Sequence, residues 1–391
     1  LMEYITAGES HGPQLSAIVS GVPAGLAISE KGINADLARR QSGYGRGGRQ
    51  AIEKDTVQIT SGVRFGMTLG SPITLTVVNR DWQNWTDRMA VFGDVPQDLV
   101  REVTPRPGHA DLLGILKNDF DDCRNVLERS SARETTMRVA AAGIAREFLA
   151  EVGVEIYSYV TSIGSASMQE RNPMQDALYC SPLDIEMSEV RCPDEAASQR
   201  MMDAIDAAKA KGDSLGGTYR IVVTGLLPTL GGYETPSKRL TSRLGAALFS
   251  IPAMKGVEFG LGFEAARRPG SKVHDEIILD EKNGFVRKTN NAGGLEGGMT
   301  TGMPLIITVA MKPIPTLTIP LNTVNLDTLE IAEASKERSD TCAVPAAAVV
   351  GESEVALVLA NAYLEKFGSD NMTDIKANIA SFKERIKTMS R

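Results

Sequence analysis

The sequence predicts an α+β chain of two similar halves, each contributing strands and one buried central helix. Three observations carry that prediction. Val139-Ala140-Ala141-Ala142-Gly143-Ile144-Ala145 contains no polar residue, whereas a surface helix shows a polar stripe at every turn. Ala343-Val344-Pro345-Ala346-Ala347-Ala348-Val349-Val350 is a second apolar run of the same kind. Short stretches also recur in the same order along the chain. Gly8-Glu9-Ser10-His11-Gly12 matches Gly212-Asp213-Ser214-Leu215-Gly216, and Gly66-Met67-Thr68-Leu69-Gly70-Ser71-Pro72-Ile73 matches Gly298-Met299-Thr300-Thr301-Gly302-Met303-Pro304-Leu305. Glu128-Arg129-Ser130-Ser131 and Glu337-Arg338-Ser339-Asp340 each precede an apolar run. Ordered repetition of this kind is the mark of an internal duplication, here with a period near half the chain, too long for a solenoid. The expected layout is one domain over residues 1–391, with halves of about 1–205 and 206–391.

In chain order, strand character covers 15–22, a helix follows near 31–41, and strands follow near 56–62 and 73–79. In the last, Ile73, Leu75 and Val77 alternate with threonines, the period of a half-buried strand. Residues 80–107 read as irregular and hold Trp82 and Trp85, for which packing under a loop is the expected role. Residues 111–127 are expected to continue into the first central helix, with Ser131 and Glu134 forming a capping box at its mouth. Beyond it come a strand from 154, a peripheral insertion over 165–193, and a surface helix near 194–211, capped by Asp194 with Met201, Ile205 and Ala208 inward. A strand to 226, a helix near 237–250 and the glycine-rich stretch Gly256–Phe263 follow. A polar loop over 287–302 leads to a strand over 304–311, the turn Lys312-Pro313-Ile314-Pro315-Thr316 and the second central helix. The tail, 373–391, is a basic amphipathic helix.

The formal net charge of −7 excludes a general polyanion binder, so an anion site must be a local exception. The four cysteines show no C-x-x-C spacing and read as free thiols. With no apolar segment of spanning length and no leader in the sequence as given, the expectation is a cytoplasmic protein without membrane or nucleic-acid partners.

Local anion sites are visible. From Leu37 to Ile52 there is no acid, yet Arg39, Arg40, Arg46 and Arg49 lie among Gly43, Gly45, Gly47 and Gly48. Glycines allow close backbone approach, and guanidinium forks fit phosphate and carboxylate. Gly43-Tyr44-Gly45-Arg46-Gly47-Gly48 matches G-x-G-x-x-G but lies after a helix and before a strand, the reverse of a dinucleotide site. The mouths of the two buried helices, with Arg129, Ser130, Ser131 and Arg133 at the first, add helix-terminus anion sites. Of three histidines, His274 sits among charged surface residues, while His11 and His109 lie in glycine- and proline-rich turns. Histidines titrate near neutrality. The sum suits a small, multiply anionic substrate and proton transfer at its leaving group.

These motifs together resemble the chorismate synthase family. They are Gly8–Gly12, Gly43–Arg49, Arg106-Pro107-Gly108-His109-Ala110-Asp111, Glu128–Thr136, Thr289–Gly298 and Arg338-Ser339-Asp340. The resemblance runs nearly the full chain. It implies a β-α-β sandwich with two central helices flanked by antiparallel sheets, and a homotetramer. The implied reaction is an anti-1,4-elimination of phosphate from 5-enolpyruvylshikimate 3-phosphate to give chorismate, the last step of the shikimate pathway. It requires reduced FMN without net redox change, with an external flavin reductant and NADP(H) as an indirect one.

By the same resemblance, Arg40, Arg46, Arg49, Arg133 and Arg338 grip substrate anions. His109 protonates the departing phosphate, His11 supplies a proton to the flavin, and Asp340 helps take the ring proton through the flavin's central nitrogen. The resemblance assigns the FMN lining to Arg129, Ser130, Ser131, Pro252, Ala253, Gly297, Lys312, Pro313, Ile314, Pro315, Thr316 and Arg338. An FMN-dependent oxidoreductase is the alternative, distinguished by net consumption of reductant. RNA binding through the Arg/Gly loop is the non-enzyme alternative, distinguished by steep salt dependence.

Overall fold

Alternation decides the first sheet. In the strand Ile73–Val78, Ile73, Leu75 and Val77 are buried and the threonines between them are half-buried, as a strand with one face on a core requires. It pairs with Gln14–Ser20 on one side and Val57–Ile59 on the other, and Glu3–Ala7 completes the antiparallel sheet beyond Gln14–Ser20. A second antiparallel sheet runs Met254–Phe259, Leu305–Met311, Gly217–Thr224, Glu155–Ile163, with the two-residue strand Ala166–Ser167 at its edge. Set that short strand aside, and each sheet places its strands in the spatial order first, second, fourth, third. The computed structural model describes residues 1–319, 321–337 and 339–389.

The first central helix, Thr135–Glu151, packs on the first sheet and against the second central helix, Val344–Phe367, which packs on the strands Glu155–Ile163 and Gly217–Thr224. Val344–Phe367 has the length and composition of a membrane-crossing helix, but 89% of its most apolar window is buried. It is a core helix. Its middle carries Glu352, fully buried and met by Arg39 and Arg146 at 3.1 Å, by Arg191 at 3.5 Å, and by the Ser158 hydroxyl. Burial works to raise this carboxyl, yet the three guanidinium groups hold it down at about 2. An unpaired buried charge is strongly destabilising, so this one acid binds four separate elements to the helix.

The recurring motifs adopt the same local geometry. Thr68 Oγ1 donates to Pro23 O at 2.6 Å and accepts from Leu26 N at 2.9 Å. Thr300 Oγ1 donates to Leu227 O at 2.6 Å and accepts from Leu230 N at 2.9 Å. Each threonine is 3% exposed and ends a two-strand hairpin, Val63–Arg64 with Met67–Thr68 and Leu295–Glu296 with Met299–Thr300.

Three local expectations need correction. Residues 111–127 do not run on into the central helix: Asp111–Asn118 stops at Asp119, whose φ is 56°, and Arg124–Ser130 ends before a 3₁₀ turn, Ala132–Glu134. The capping box does not form. Ser131 Oγ accepts from Arg133 N at 3.2 Å, while Glu134 turns to Arg138 at 3.0 Å and Thr6 at 3.2 Å, because an arginine one turn on is the stronger partner. Residues 165–193 are not peripheral. Met174, Ala177 and Ile185 bury against Tyr159, Val222 and Ile306 on the outer face of the second sheet, and Arg191 reaches Glu352. The helices Glu30–Gln41, Glu195–Ala210 and Leu240–Phe249 lie where the pattern places them, with Asp194 Oδ1 accepting from Ala197 N at 3.0 Å. The tail forms the helix Met372–Met389, which packs Ile375, Ile379 and Phe382 inward.

Candidate active site

A cavity of about 1260 Å³ opens between the N-termini of the two central helices. That is at the large end for a small-molecule site, where pockets typically run to about 1,000 Å³. Its wall brings together His11, His109, Asp340, Arg40, Arg46, Arg49, Arg133, Arg129, Ser130, Ser131, Pro252, Ala253, Lys312, Ile314, Pro315 and Thr316. Gly297 and Pro313 are not among the lining residues; Gly297 turns the hairpin between Leu295–Glu296 and Met299–Thr300. Arg338 lies outside the described residues. Cations outnumber carboxylates on this wall even though the whole chain is acidic.

The Arg/Gly loop is held across the cavity by the second half. Gly45 has φ of 83°, and a Cβ there would stand 2.8 Å from Ile205, so only glycine fits. Its carbonyl accepts from Thr341 N at 2.8 Å. Asp340 clamps the loop from below, taking Gly47 N at 2.5 Å and Arg46 Nε at 2.9 Å. Arg46 Nη1 donates to Arg40 O at 2.7 Å. Arg40 itself is 5% exposed and donates to Thr135 Oγ1 and Ala132 O at the mouth of the first central helix. Burial presses its guanidinium down to about 9; Asp55 opposes this, while Arg46 and Arg133 add to it. A cation kept charged under that pressure is one that an incoming anion relieves.

Arg49 is also lowered, first by burial and then by Arg133. It donates to the Ser10 hydroxyl at 2.5 Å and to the Ser10 carbonyl, while its buried Nε has no hydrogen-bond partner among the described residues. Arg133 differs: Asn79 Oδ1 takes its Nε and Nη2 at 3.1 and 2.8 Å, and Asp55 takes Nη1 at 2.7 Å. Asn79 also donates to Gly12 O at 2.8 Å, so it ties the His11 turn to the helix mouth.

The two histidines are presented by different devices. His11 stacks on Trp85 with ring centroids 4.0 Å apart, and its Nδ1 lies 2.7 Å from Glu128. His109 follows a turn in which Gly108 has φ of 83°, and its Nδ1 lies 2.8 Å from Asp111 Oδ1. Arg106 grips Asp111 through Nε at 2.9 Å and Nη2 at 3.2 Å, and meets Thr316 at 2.8 Å. Burial would raise Asp111, but His109 and Arg106 hold it well below the usual carboxylate range.

Sequence reasoning missed several of these residues. Trp85 faces the cavity rather than packing under its loop, because the 3₁₀ turn Arg80–Asn84 delivers it there. The sequence alone assigns no role to Glu53, Asp55, Asn79, Asp81, Arg106, Asp111 or Arg124. Arg106 and Asp111 stand inside the His109 motif, and that proximity was the available signal. The others come from separate segments that only the fold brings together.

A family model described as chorismate synthase matches residues 2–364. The chorismate synthase of Geobacter metallireducens (strain ATCC 53774 / DSM 7210 / GS-15) is 53% identical over 395 residues, covering 99% of this chain and all of the relative. That of Bacillus subtilis (strain 168) is 53% identical over 389 residues, covering 98% of this chain and 99% of the relative. A solved structure described as a crystal structure of chorismate synthase superposes with a TM-score of 0.81 at 41% identity, covering 99% of this chain and 98% of that one.

Proposed function

The chain belongs to the chorismate synthase family, and we propose that the arginine-walled cavity is where that family's reaction runs. The protein is a lyase of the shikimate pathway that forms chorismate from 5-enolpyruvylshikimate 3-phosphate. The observation that carries the site assignment is convergence. His11, His109, Asp340 and the guanidinium groups of Arg40, Arg46 and Arg49 come from four segments and line one cavity. Breaking a C–O bond to phosphate puts negative charge on the leaving oxygen, and preorganised guanidinium groups stabilise it without having to reorganise.

Arg40, Arg46 and Arg49 grip the substrate's anionic groups. His109 holds a proton for the departing phosphate, and His11 holds one at the nitrogen facing the cavity. Asp340 acts as base toward the ring proton; an incoming anion that draws Arg46 away frees its Oδ2 for that role. Reduced FMN, held against this wall, would supply electron density for the C–O cleavage without net redox change. The wall fits such a group. Arg129 and Lys312 offer cationic donors for a phosphate beside Ser130 and Ser131, and Pro252, Ala253 and the Ile314–Thr316 turn line the same cavity. Anaerobic assay with reduced FMN and the phosphorylated enolpyruvyl substrate yields chorismate; absence of product from folded, flavin-loaded protein defeats the assignment.

Two architectural readings go with it. One is a single β-α-β sandwich built from duplicated halves, supported by the common strand order and the equivalent Thr68 and Thr300 bonds. The other is a homotetramer, supported by the cross-strand pair Ile5 and Ile18, left exposed on the outer face of the first sheet. Light scattering on the purified chain tests the second.

A further inference from the structure

His11 is held more tightly than a surface turn needs. Glu128 Oε1 accepts the His11 backbone N–H at 2.7 Å, and Glu128 Oε2 lies 2.7 Å from the ring Nδ1. Trp85 covers one face of the ring, and Arg124 closes the frame, 2.9 Å from Glu128 Oε2 and 5.0 Å from the Trp85 ring centroid. Glu128 is 2% exposed. Burial acts to raise its carboxyl, but His11 and then Arg124 outweigh it and hold the group ionised. An ionised carboxylate only accepts hydrogen bonds, so the shared proton must sit on His11 Nδ1. Nε2 is then left toward the cavity, with Asp81 Oδ2 4.0 Å away.

We propose that Glu128 is a positioning residue for the reaction, fixing His11 so that Nε2 is the nitrogen that exchanges a proton with cavity-bound ligand. This rests on the reading of His11 as an acid of the cavity. When Nε2–H gives up its proton to an acceptor in the cavity, the neutral ring keeps Nδ1–H on Glu128, and water reloads Nε2 between turnovers. The carboxylate never takes the proton; it decides which nitrogen can lose one. Without it, the neutral ring can keep its proton on Nε2 and turn its lone pair away from the ligand, the failure expected when a histidine's orienting carboxylate is lost.

The test uses ¹⁵N-histidine-labelled protein, in which only His11, His109 and His274 give signals, and the His11 pair is identified by its loss in His11→Ala. At a pH that leaves the ring neutral, wild-type His11 shows a protonated Nδ1 and an unprotonated Nε2. In Glu128→Gln that pattern is lost, kcat falls on the order of 100-fold or more, and KM changes little; Glu128→Asp recovers part of both. A wild-type His11 protonated at Nε2 overturns the proposal, and this reading holds even if Glu128→Gln fails to fold. A folded Glu128→Gln with unchanged tautomer and rate overturns it as well. Full activity in His11→Ala instead defeats the reading of His11 itself, and with it any role for Glu128 in the reaction, while the tautomer measurement stands apart.

Discussion

The turns Gly8–Gly12 and Gly212–Gly216 match in sequence and do different work. Ser10 N donates to Glu128 O at 3.0 Å, and Leu215 N donates to Thr341 O at 2.9 Å, so each turn is tied to the segment just ahead of a central helix. From there they part. The Ser10 hydroxyl receives Arg49, and His11 faces the cavity beside Glu128 and Trp85. The Ser214 hydroxyl donates to Ile314 O at 2.6 Å, and Leu215 packs against Gly164 and the hydrophobic core. The first turn thus carries the candidate acid, and the second braces the wall facing it. Leu215 stands where the first turn has His11, so the candidate acid occurs in the first turn alone.

The sharpest way to break that contrast is at its two tips. His11→Ala is expected to lower kcat by about 10²–10⁴-fold, the usual worth of a positioned acid or base. Leu215→Ala keeps turnover within about twofold and costs about 1 kcal/mol of stability. Steady-state assay paired with denaturant melts reads both; equal losses of rate at the two positions would erase the distinction. Next is Glu352, which serves the scaffold alone. Glu352→Gln leaves three arginines facing a neutral group and is expected to cost about 3–5 kcal/mol.

The same group sets an acid limit. Its folded value of about 2 lies below the ordinary 4.5, so the unfolded chain takes up the proton first. The stabilisation is therefore fully present above about pH 4.5 and is lost as pH falls toward 2. Acid unfolding followed by circular dichroism should show a weaker dependence over that range in Glu352→Gln than in the wild type. The smallest effect sharpens the likeness instead. Thr68→Val and Thr300→Val each strip one carbonyl and one N–H of a partner and should each cost about 1–3 kcal/mol, by similar amounts. A large inequality between them, measured by urea melts, would mean that the shared geometry hides different loads.

Much of the frame was legible because it rests on local pattern. The apolar runs at 139–145 and 343–350 can only be buried, and alternation at 73–78 can only be a strand with one wet face. Arg40, Arg46 and Arg49 were visible as an acid-free cluster among glycines. Glu128, Asp81 and Trp85 were not legible as His11's surroundings, because nothing in a carboxylate's neighbours along the chain says which histidine it will meet. Even the capping-box pattern at Ser131 and Glu134 misled, since Arg138 and Thr6 offered Glu134 better partners than the helix terminus did.

By itself, the sequence determined the two buried helices, the ordered repetition, the local excess of arginine and the motifs that mark the family. Only the tertiary structure decided which carboxylate holds which histidine, that Asp340 clamps the Arg/Gly loop, and that Arg133 is spent on Asp55 and Asn79 while Arg49 is spent on Ser10. The reason is range. Periodicity and composition act over a few residues and survive in the sequence as pattern. Charge pairing and desolvation act across space, and here their partners, such as Arg46 with Asp340, stand hundreds of positions apart.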